Sequence, residues 1–225
     1  MRRILSGLAL LVISAHAAAG LEDITQAEAV RALRQALNEG SRAAVARLGV
    51  ENGFFGNSKV RIPLPPSLKR VERGLRAFGM KREADELVLA MNRAAEAAVP
   101  EAKQLLADAV RKMTVQDAKK ILTGGDTAAT DYFKRATESQ LTQRFLPVVR
   151  KATDRVDLAQ KYNAVAGQGL ALGLIEEEEA SIERYVTGKA LDGLYFMIGE
   201  QEKAFRKDPV RSTSEIVRKV FEAMR

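Results

Sequence analysis

The sequence contains no cysteine and no tryptophan, and its single histidine is His16. Without cysteine the fold has no disulfide, no thiolate nucleophile and no lipid-modified N-terminal cysteine. His16 lies in an N-terminal segment that we expect to be removed, so the mature chain lacks histidine too. These absences exclude Ser-His-Asp and Cys-His catalysis and the usual nitrogen- and sulfur-ligated zinc, copper or haem sites. We therefore expect no metal and no other cofactor.

Long hydrophobic runs are also scarce, and the one that stands out is close to the N-terminus. Arg2 and Arg3 precede an apolar run over residues 4–15, and alanines follow at positions 17–19. This is the pattern of a secretory signal peptide, and the run is shorter than the roughly 18–20 residues that span a bilayer. We predict a signal peptide at residues 1–19, a periplasmic or secreted protein that is not a lipoprotein, and no transmembrane anchor after cleavage.

Charge of one sign is not concentrated along most of the mature chain, apart from the four glutamates at 176–179. Loss of Arg2 and Arg3 lowers the formal net charge from +7 to +5, and basic and acidic residues are interspersed along most predicted helices. Interspersed charge is typical of a solvated surface, and export separates the protein from nucleic acid, so we expect no nucleic-acid partner. An envelope protein, a peptide, a lipid or a glycan remains as the class of partner.

Helix signals follow one another along the mature chain. Thr25 and Glu28 form a capping box, and Thr114 is placed to cap a short helix that ends at Gly124. Pro100 is predicted to kink or divide a long helix over residues 81–113, and Pro147 to interrupt a later one. A last helix is predicted after the "STS" at 212–214. Because connections are short and no repeat is evident, we predict one all-α domain over residues 20–225, built as a multi-helix bundle.

One stretch, "NGFFGNSKVRIPLPP" at residues 52–66, departs from the helical pattern. Apolar residues alternate with basic residues and prolines from Lys59 onward, which predicts a short extended segment near 58–65. Pro63 and Pro65 remove hydrogen-bond donors from one edge, so the segment is able to pair on the other edge only. Its partner is either a second strand of this chain within residues 170–175, giving a β-hairpin or a crossing pair, or an extended segment of another protein.

The same stretch carries Phe54 and Phe55 between the turn dipeptides Asn-Gly and Gly-Asn. In one interpretation the two rings fill a gap between helices and the extended segment straps the bundle. In the other they are exposed or line a groove, and Asn57, Lys59 and Arg61 add polar and cationic contacts at its rim. The second interpretation predicts that the loop binds a peptide, a lipid headgroup or a polyanionic glycan.

A second candidate site lies in "MNRAAEAAVPE". Asn92 and Glu96 are one helical turn apart, and Arg93 and Glu96 are three residues apart, among alanines that suit close helix packing. The trio forms either a buried hydrogen-bonded network or the floor of a pocket. Combined with the loop, it gives the candidate ligand- or partner-binding residues Phe54, Phe55, Asn57, Lys59, Arg61, Asn92, Arg93 and Glu96.

Catalysis without metal or histidine needs only two carboxylates roughly 5–10 Å apart in a cleft, and carboxylates are abundant. Tyr185, Lys189 and Asp192 also share one side of a predicted helix, a spacing that suits proton transfer and equally an ordinary helix surface. A metal-free envelope enzyme using carboxylate, tyrosine or lysine acid–base chemistry is therefore one alternative to a binding module. A structural subunit of an envelope assembly is another.

Several stretches, "NGFFGNSKVRIPLP", "MTVQDAKKILTGGDTAATDYF", "FLPVVRKA" and "YVTGKALDGLYFMIGEQEKAFRKDP", resemble the bacterial family known as domain of unknown function 4197. The resemblance spans Ala29 to Phe221 and implies an exported helical protein, but it carries over no catalytic or binding residue. Gly188 departs from the charged helix former that the resemblance implies, so we expect the start of the last long helix to be loosened there; residues 164–179 match least. We favour an exported binding module that uses the Phe54–Phe55 loop and the adjacent extended segment.

Overall fold

The computed structural model describes residues 25–68, 81–173 and 176–208. These ranges contain seven α-helices whose bounds are defined, three further helical residues at 66–68, and no β-strand, which confirms the predicted all-α class. The helices are α1 Gln26–Leu48, α2 Lys81–Ala98, α3 Ala102–Lys112, α4 Val115–Leu122, α5 Ala128–Thr153, α6 Asp157–Ala171 and α7 Ile182–Lys207. Short 3₁₀ turns lie at Val99–Glu101 and Glu177–Glu179. The predicted signal peptide and the helix predicted after residue 214 lie outside the described residues.

Helix boundaries follow the local signals closely. The Thr25 hydroxyl accepts a hydrogen bond from the Glu28 N–H, and the Glu28 carboxylate accepts one from the Thr25 N–H. Thr114 and Asp117 make the same reciprocal pair at the start of α4. Pro100 separates α2 from α3 through a 3₁₀ turn, as its position predicted. These features need only residues three or four positions apart, so the sequence alone determines them.

The predicted interruption at Pro147 was wrong. Helix α5 runs unbroken through Pro147, which lies on its exposed side. Proline removes one N–H from the helix, but Phe145 and Val149 on either side are completely buried. The burial of these two side chains holds α5 against the core and outweighs the local penalty of the proline.

Helix α7 packs against α1, α2 and α5. The buried apolar side chains of all seven helices form one contiguous cluster with the loop after α1. Its largest completely buried members include Phe54, Phe133 and Phe145. Helix α7 stays regular through Gly188, so the loosening expected there is not seen.

A buried carboxylate on α7 supplies a helix cap that no local pattern provides. Glu202 accepts hydrogen bonds at 2.9 Å from the backbone N–H groups of Ala129 and Thr130 at the start of α5. The N-cap residue Thr127 makes no side-chain cap bond of its own. Arg206 binds Glu202 at 2.9 Å and also donates to the Ile121 carbonyl. A negative charge at a helix N-terminus is stabilising, so Glu202 fixes α5 on α7.

The segment predicted to be extended near 58–65 forms no β-strand. Residues 58–60 form a turn, and residues 61–65 have no regular secondary structure and no strand pairing. No β-hairpin is present in the described ranges: residues 170–171 end α6 and residues 172–173 form a turn. Residues 174–175 of the predicted partner strand lie outside the described residues. The predicted alternation is confirmed from residue 60 to residue 64, where Val60, Ile62 and Leu64 are buried and Arg61 and Pro63 are exposed. It was wrong at Pro65, which is buried directly before the helical residues 66–68, where the alternation ends.

Candidate functional site

The two adjacent phenylalanines occupy different environments. Phe54 has no exposed surface, and its ring packs on Gly193 of α7 so closely that a Cβ at that glycine would lie 2.6 Å from the ring. Phe55, by contrast, is only partly buried. Phe54 therefore fills a gap between helices, in agreement with the first interpretation, whereas Phe55 reaches the surface.

A tight turn after α1 leads into the two phenylalanines. Asn52 has φ +65°, in the left-handed region that asparagine tolerates better than most residues. At Gly53 an added Cβ would lie 2.4 Å from the Leu48 carbonyl oxygen, so only glycine fits there. The Asn-Gly pair is thus required by the shape of the loop.

Glu96 of α2 binds the backbone of the loop after α1. Its Oε1 accepts hydrogen bonds from the backbone N–H of Phe54 at 2.9 Å and of Phe55 at 3.0 Å. Its Oε2 accepts from Arg93 Nη1 at 2.6 Å. Hydrogen bonds to a charged acceptor are stronger than neutral ones, and the Glu96 carboxylate is 5% exposed. Glu96 therefore fixes the backbone at the point where the two rings diverge.

Asn92, one turn earlier on α2, pairs with the extended segment. Its Oδ1 accepts from the Ile62 N–H at 2.9 Å, and its Nδ2 donates at 2.8 Å to the carbonyl oxygens of Ile62 and Val88. The side-chain amide thus satisfies the N–H and C=O of Ile62 as a neighbouring strand would. The sequence predicted that this segment pairs with a strand, either of this chain or of another protein. In the structure its partner is instead the Asn92 side chain of helix α2.

Arg93 connects the buried Glu96 carboxylate to residues at the protein surface. Its Nη2 donates to Glu51 Oε1 at 3.0 Å and to Asn52 Oδ1 at 3.1 Å, while its Nη1 binds Glu96. One third of its side-chain surface is exposed. Asn92 and Glu96 therefore form the buried network that was one of the two interpretations.

The structure brings all eight candidate residues together around one loop. Three of them, Phe54, Asn92 and Glu96, are buried and engaged within the protein. The other five reach the surface, where the Asn57 side chain accepts a hydrogen bond from the Lys59 N–H at 3.2 Å.

Cations lie over the aromatic rings at this surface. The Arg61 guanidinium is 4.2 Å from the centre of the Phe55 ring, and that of Arg93 is 5.9 Å from it. Lys59 Nζ is 5.9 Å from the ring of Phe196 on α7, and Phe196 is 41% exposed. Such contacts are attractive because a ring face carries partial negative charge. We call Phe55, Lys59, Arg61, Arg93 and Phe196 the cation–aromatic face.

The cations of this face differ in how far carboxylates neutralise them. Lys59 binds Glu200 at 2.9 Å, and this hydrogen bond and charge lower the pKa of the Glu200 carboxyl. Arg93 is paired with Glu51 and Glu96. No carboxylate in the described ranges pairs with the exposed Arg61, whose guanidinium lies over the Phe55 ring. Among the described residues, Arg61 thus differs from Lys59 and Arg93, which are each paired with a carboxylate.

Phe196, Glu51 and Glu200 were not predicted from the sequence as residues of this surface. Phe196 had a usable signal, because it lies four residues from both Asp192 and Glu200 and so shares a helical stripe with two charged residues. An aromatic residue on such a stripe is expected at the surface. Glu51 carries no comparable signal, since its pairing with Arg93 depends on how the loop folds onto α2.

The trio Tyr185, Lys189 and Asp192 does not form a connected relay. Lys189 pairs with Asp192 at 3.2 Å, while the Tyr185 hydroxyl donates to the Pro63 carbonyl at 3.2 Å. Burial raises the pKa of Tyr185 to about 12, so the phenol is protonated at neutral pH. Tyr185 acts as a structural donor that ties the extended segment to α7.

The described ranges offer neither a metal centre nor a membrane span. No cluster of three or more potential metal-ligating side chains is placed there to hold an ion. No helix in those ranges combines the length and the apolar character that crossing a membrane requires.

Fold and site together define an all-helical protein that supports an exposed cation–aromatic loop on two buried polar residues of one helix. The chain belongs to the family described as Protein of unknown function (DUF4197), whose model matches residues 23–222, nearly the whole chain. This confirms the resemblance. Searches of curated proteins and of solved structures found no match. The family assigns no activity, so function has to be argued from the site.

Proposed function

We propose that this protein is an exported helical binding module that holds an anionic partner on the cation–aromatic face. One observation carries the proposal: the exposed Arg61 stacks 4.2 Å over Phe55 and has no carboxylate partner in the described ranges. A guanidinium that is stacked on a ring keeps its N–H edge for carboxylate or phosphate groups. Phe55 and Phe196 add apolar contact beside it.

The buried residues contribute by fixing the shape of the face. Glu96 holds the backbone of Phe54 and Phe55, and Asn92 holds that of Ile62, directly after Arg61. A loop that is already ordered loses less conformational entropy when it binds. We therefore assign partner contact to Phe55, Asn57, Lys59, Arg61 and Arg93 with Phe196, and loop shape to Phe54, Asn92 and Glu96.

Export is the second part of the proposal. It is supported by the basic, apolar and small-residue pattern of residues 1–19, and the family match begins C-terminal to it, at residue 23. An exported protein meets its partner in the cell envelope or outside the cell. The partner is therefore an acidic envelope protein or peptide, an anionic lipid or an anionic glycan.

Native mass spectrometry of the protein purified gently from its own envelope fraction tests the proposal. The comparison is the double variant Phe55→Ala, Arg61→Ala, whose two side chains lie at the surface, with circular dichroism to verify its fold. We expect an anionic molecule or acidic protein on the wild type and none on the variant. A bare wild type, or the same adduct on both proteins, contradicts the proposal.

A further inference from the structure

A groove of about 630 Å³ lies between helices α5 and α7 and is closed at one side by the Glu177–Glu179 turn. This volume falls within the roughly 300–1,000 Å³ of small-molecule sites in proteins. We call it the α5–α7 groove. The cation–aromatic face shares no residue with it.

Carboxylates outnumber cations in the lining of the groove. Both lining cations are already paired: Arg184 binds Glu177, and Lys189 binds Asp192. Two further carboxylates remain, and neither has a partner within the groove. Glu138 has Lys134 at 3.6 Å outside the lining, and Glu178 has no ion-pair partner in the part of the chain that the structure describes. The groove thus carries excess negative charge, although the chain as a whole is basic.

A buried hydroxyl in the lining lacks a partner. Thr187 is 2% exposed, and its Oγ1 makes no hydrogen bond to any described residue. A buried polar atom left unpaired destabilises a protein, and a ligand group that supplies the bond is favoured by the same amount. The next residue, Gly188, leaves open space, since an added Cβ would meet nothing within 4 Å. Leu146 and Leu191 provide apolar lining.

We propose that the α5–α7 groove binds a small aliphatic amine with an ammonium group at each end, a diamine or polyamine. The ammonium groups pair with Glu138 and Glu178, and the alkyl chain lies on Leu146 and Leu191. The Thr187 hydroxyl accepts a hydrogen bond from the ligand after a small side-chain adjustment. This site differs from the cation–aromatic face in location and takes a ligand of opposite charge.

Isothermal titration calorimetry with butane-1,4-diamine tests the chemical class. Butane-1,4-diol and adipate serve as controls, because each keeps a chain of four methylene groups and replaces the two ammonium groups by neutral hydroxyl groups or by anionic carboxylates. We expect the diamine to bind and neither control to do so. Equal binding by either control, or no binding of the diamine up to about 10 mM, overturns the proposal.

Two substitutions at Gly188 test the location. Gly188→Met fills the groove from its floor, whereas Gly188→Ala adds a single methyl group, and both residues favour a helix more than glycine does. We expect the methionine variant to bind the diamine at least tenfold more weakly, and the alanine variant to stay within about twofold of wild type. Thr187→Val, which keeps the side-chain shape, should weaken binding about threefold or more. Unchanged affinity of Gly188→Met overturns the assignment of the groove.

Discussion

At the scale of single residues, Asn92 and Glu96 determine the shape of the loop after α1. Both lie on the buried face of the alanine-rich helix α2, and together they bond four backbone groups of residues 54, 55 and 62. Small neighbours let the loop approach the helix closely enough for short polar side chains to reach it. Buried backbone groups require partners, so these two residues are structural requirements of the face.

Asn92→Leu is expected to lower the free energy of unfolding by about 2–4 kcal/mol, because it leaves the N–H and C=O of Ile62 buried without partners. Urea unfolding monitored by circular dichroism measures the change. Gln143→Leu, an amide-to-leucine change on the exposed side of α5, is the matched control and should stay within about 0.5 kcal/mol of wild type. An Asn92→Leu variant as stable as that control would show that the amide does not support the loop.

Two glycines of α7 provide a second test at this scale. Alanine at Gly188 meets no neighbour and should stabilise the protein by about 1 kcal/mol through helix propensity. Alanine at Gly193 places Cβ 2.6 Å from the Phe54 ring and should destabilise by about 1–3 kcal/mol despite the same propensity gain. Thermal or urea unfolding of the pair gives the comparison. Stabilisation by both substitutions would mean that Phe54 does not pack on Gly193.

The sequence indicated which residues form the candidate site, but it did not indicate which contacts they make. Helical spacing singled out Asn92, Arg93 and Glu96, and the turn dipeptides singled out the phenylalanines. Nothing local distinguishes Phe54, which is buried, from Phe55, which is partly exposed, because each ring's environment depends on α2 and α7 packing around the loop. The bonds from Asn92 and Glu96 span 30 and more than 40 residues, a separation that no spacing rule covers.

At the scale of helices and segments, a feature could be predicted from the sequence when the residues that stabilise it are close to each other in the chain. The capping boxes at Thr25 and Thr114 and the division at Pro100 were predicted, since their partners lie within four residues. The continuation of α5 through Pro147 was not predicted, because it depends on the burial of Phe145 and Val149. The absence of a hairpin was not predicted either, because Asn92 of α2 takes the place of a partner strand. The cap that Glu202 gives to α5 likewise comes from 72 or 73 residues away.

Pro147→Ala is expected to raise the free energy of unfolding by about 1–3 kcal/mol, because alanine restores a helix hydrogen bond in the middle of α5. Pro147→Gly is the control: it restores the same N–H with poor helix propensity and should gain about 1 kcal/mol less. The measurement is the free energy of unfolding in urea. If Pro147→Ala were destabilising, the proline would have a packing role that its exposed position does not indicate.

At the scale of the whole molecule, the four tyrosines link distant segments through their hydroxyl groups. Tyr132 donates to the Ala109 carbonyl at 2.7 Å, and Tyr162 to the Glu179 carbonyl at 2.6 Å. Tyr185 donates to Pro63, and the Tyr195 and Thr137 hydroxyls share a hydrogen bond at 3.0 Å. All four phenols are therefore sensitive to loss of the native packing.

The folded protein should resist tyrosine ionisation until it unfolds in alkali. Burial raises the pKa of Tyr185 and Tyr195 to about 12, and it also raises the pKa of Tyr132 and Tyr162. A raised folded-state pKa means that the stability is complete below pH 10 and is lost as pH rises from 10 towards about 12. For Tyr185 and Tyr195 the loss is about 2–3 kcal/mol each.

Tyrosinate absorbance and helical circular dichroism, followed together against pH, check this expectation. The native protein should show little tyrosinate at pH 10 and then gain it in step with the loss of helix. The same chain in urea is the control and should titrate near pH 10. Ionisation of the phenols near pH 10 with the helices intact would contradict the burial of the tyrosines.

The central claim, that the cation–aromatic face binds an anion, is tested most directly by two variants with the same change of charge. Arg61→Glu alters the face, whereas Arg144→Glu alters an exposed residue of α5 that lies 3.9 Å from Glu101. Affinities for phosphatidylglycerol vesicles, a polyglutamate peptide and heparin are measured for both variants and the wild type. We predict that at least one probe binds wild type and Arg144→Glu alike and Arg61→Glu at least tenfold more weakly. Equal weakening by the two variants, or no binding of any probe to the wild type, would contradict the account.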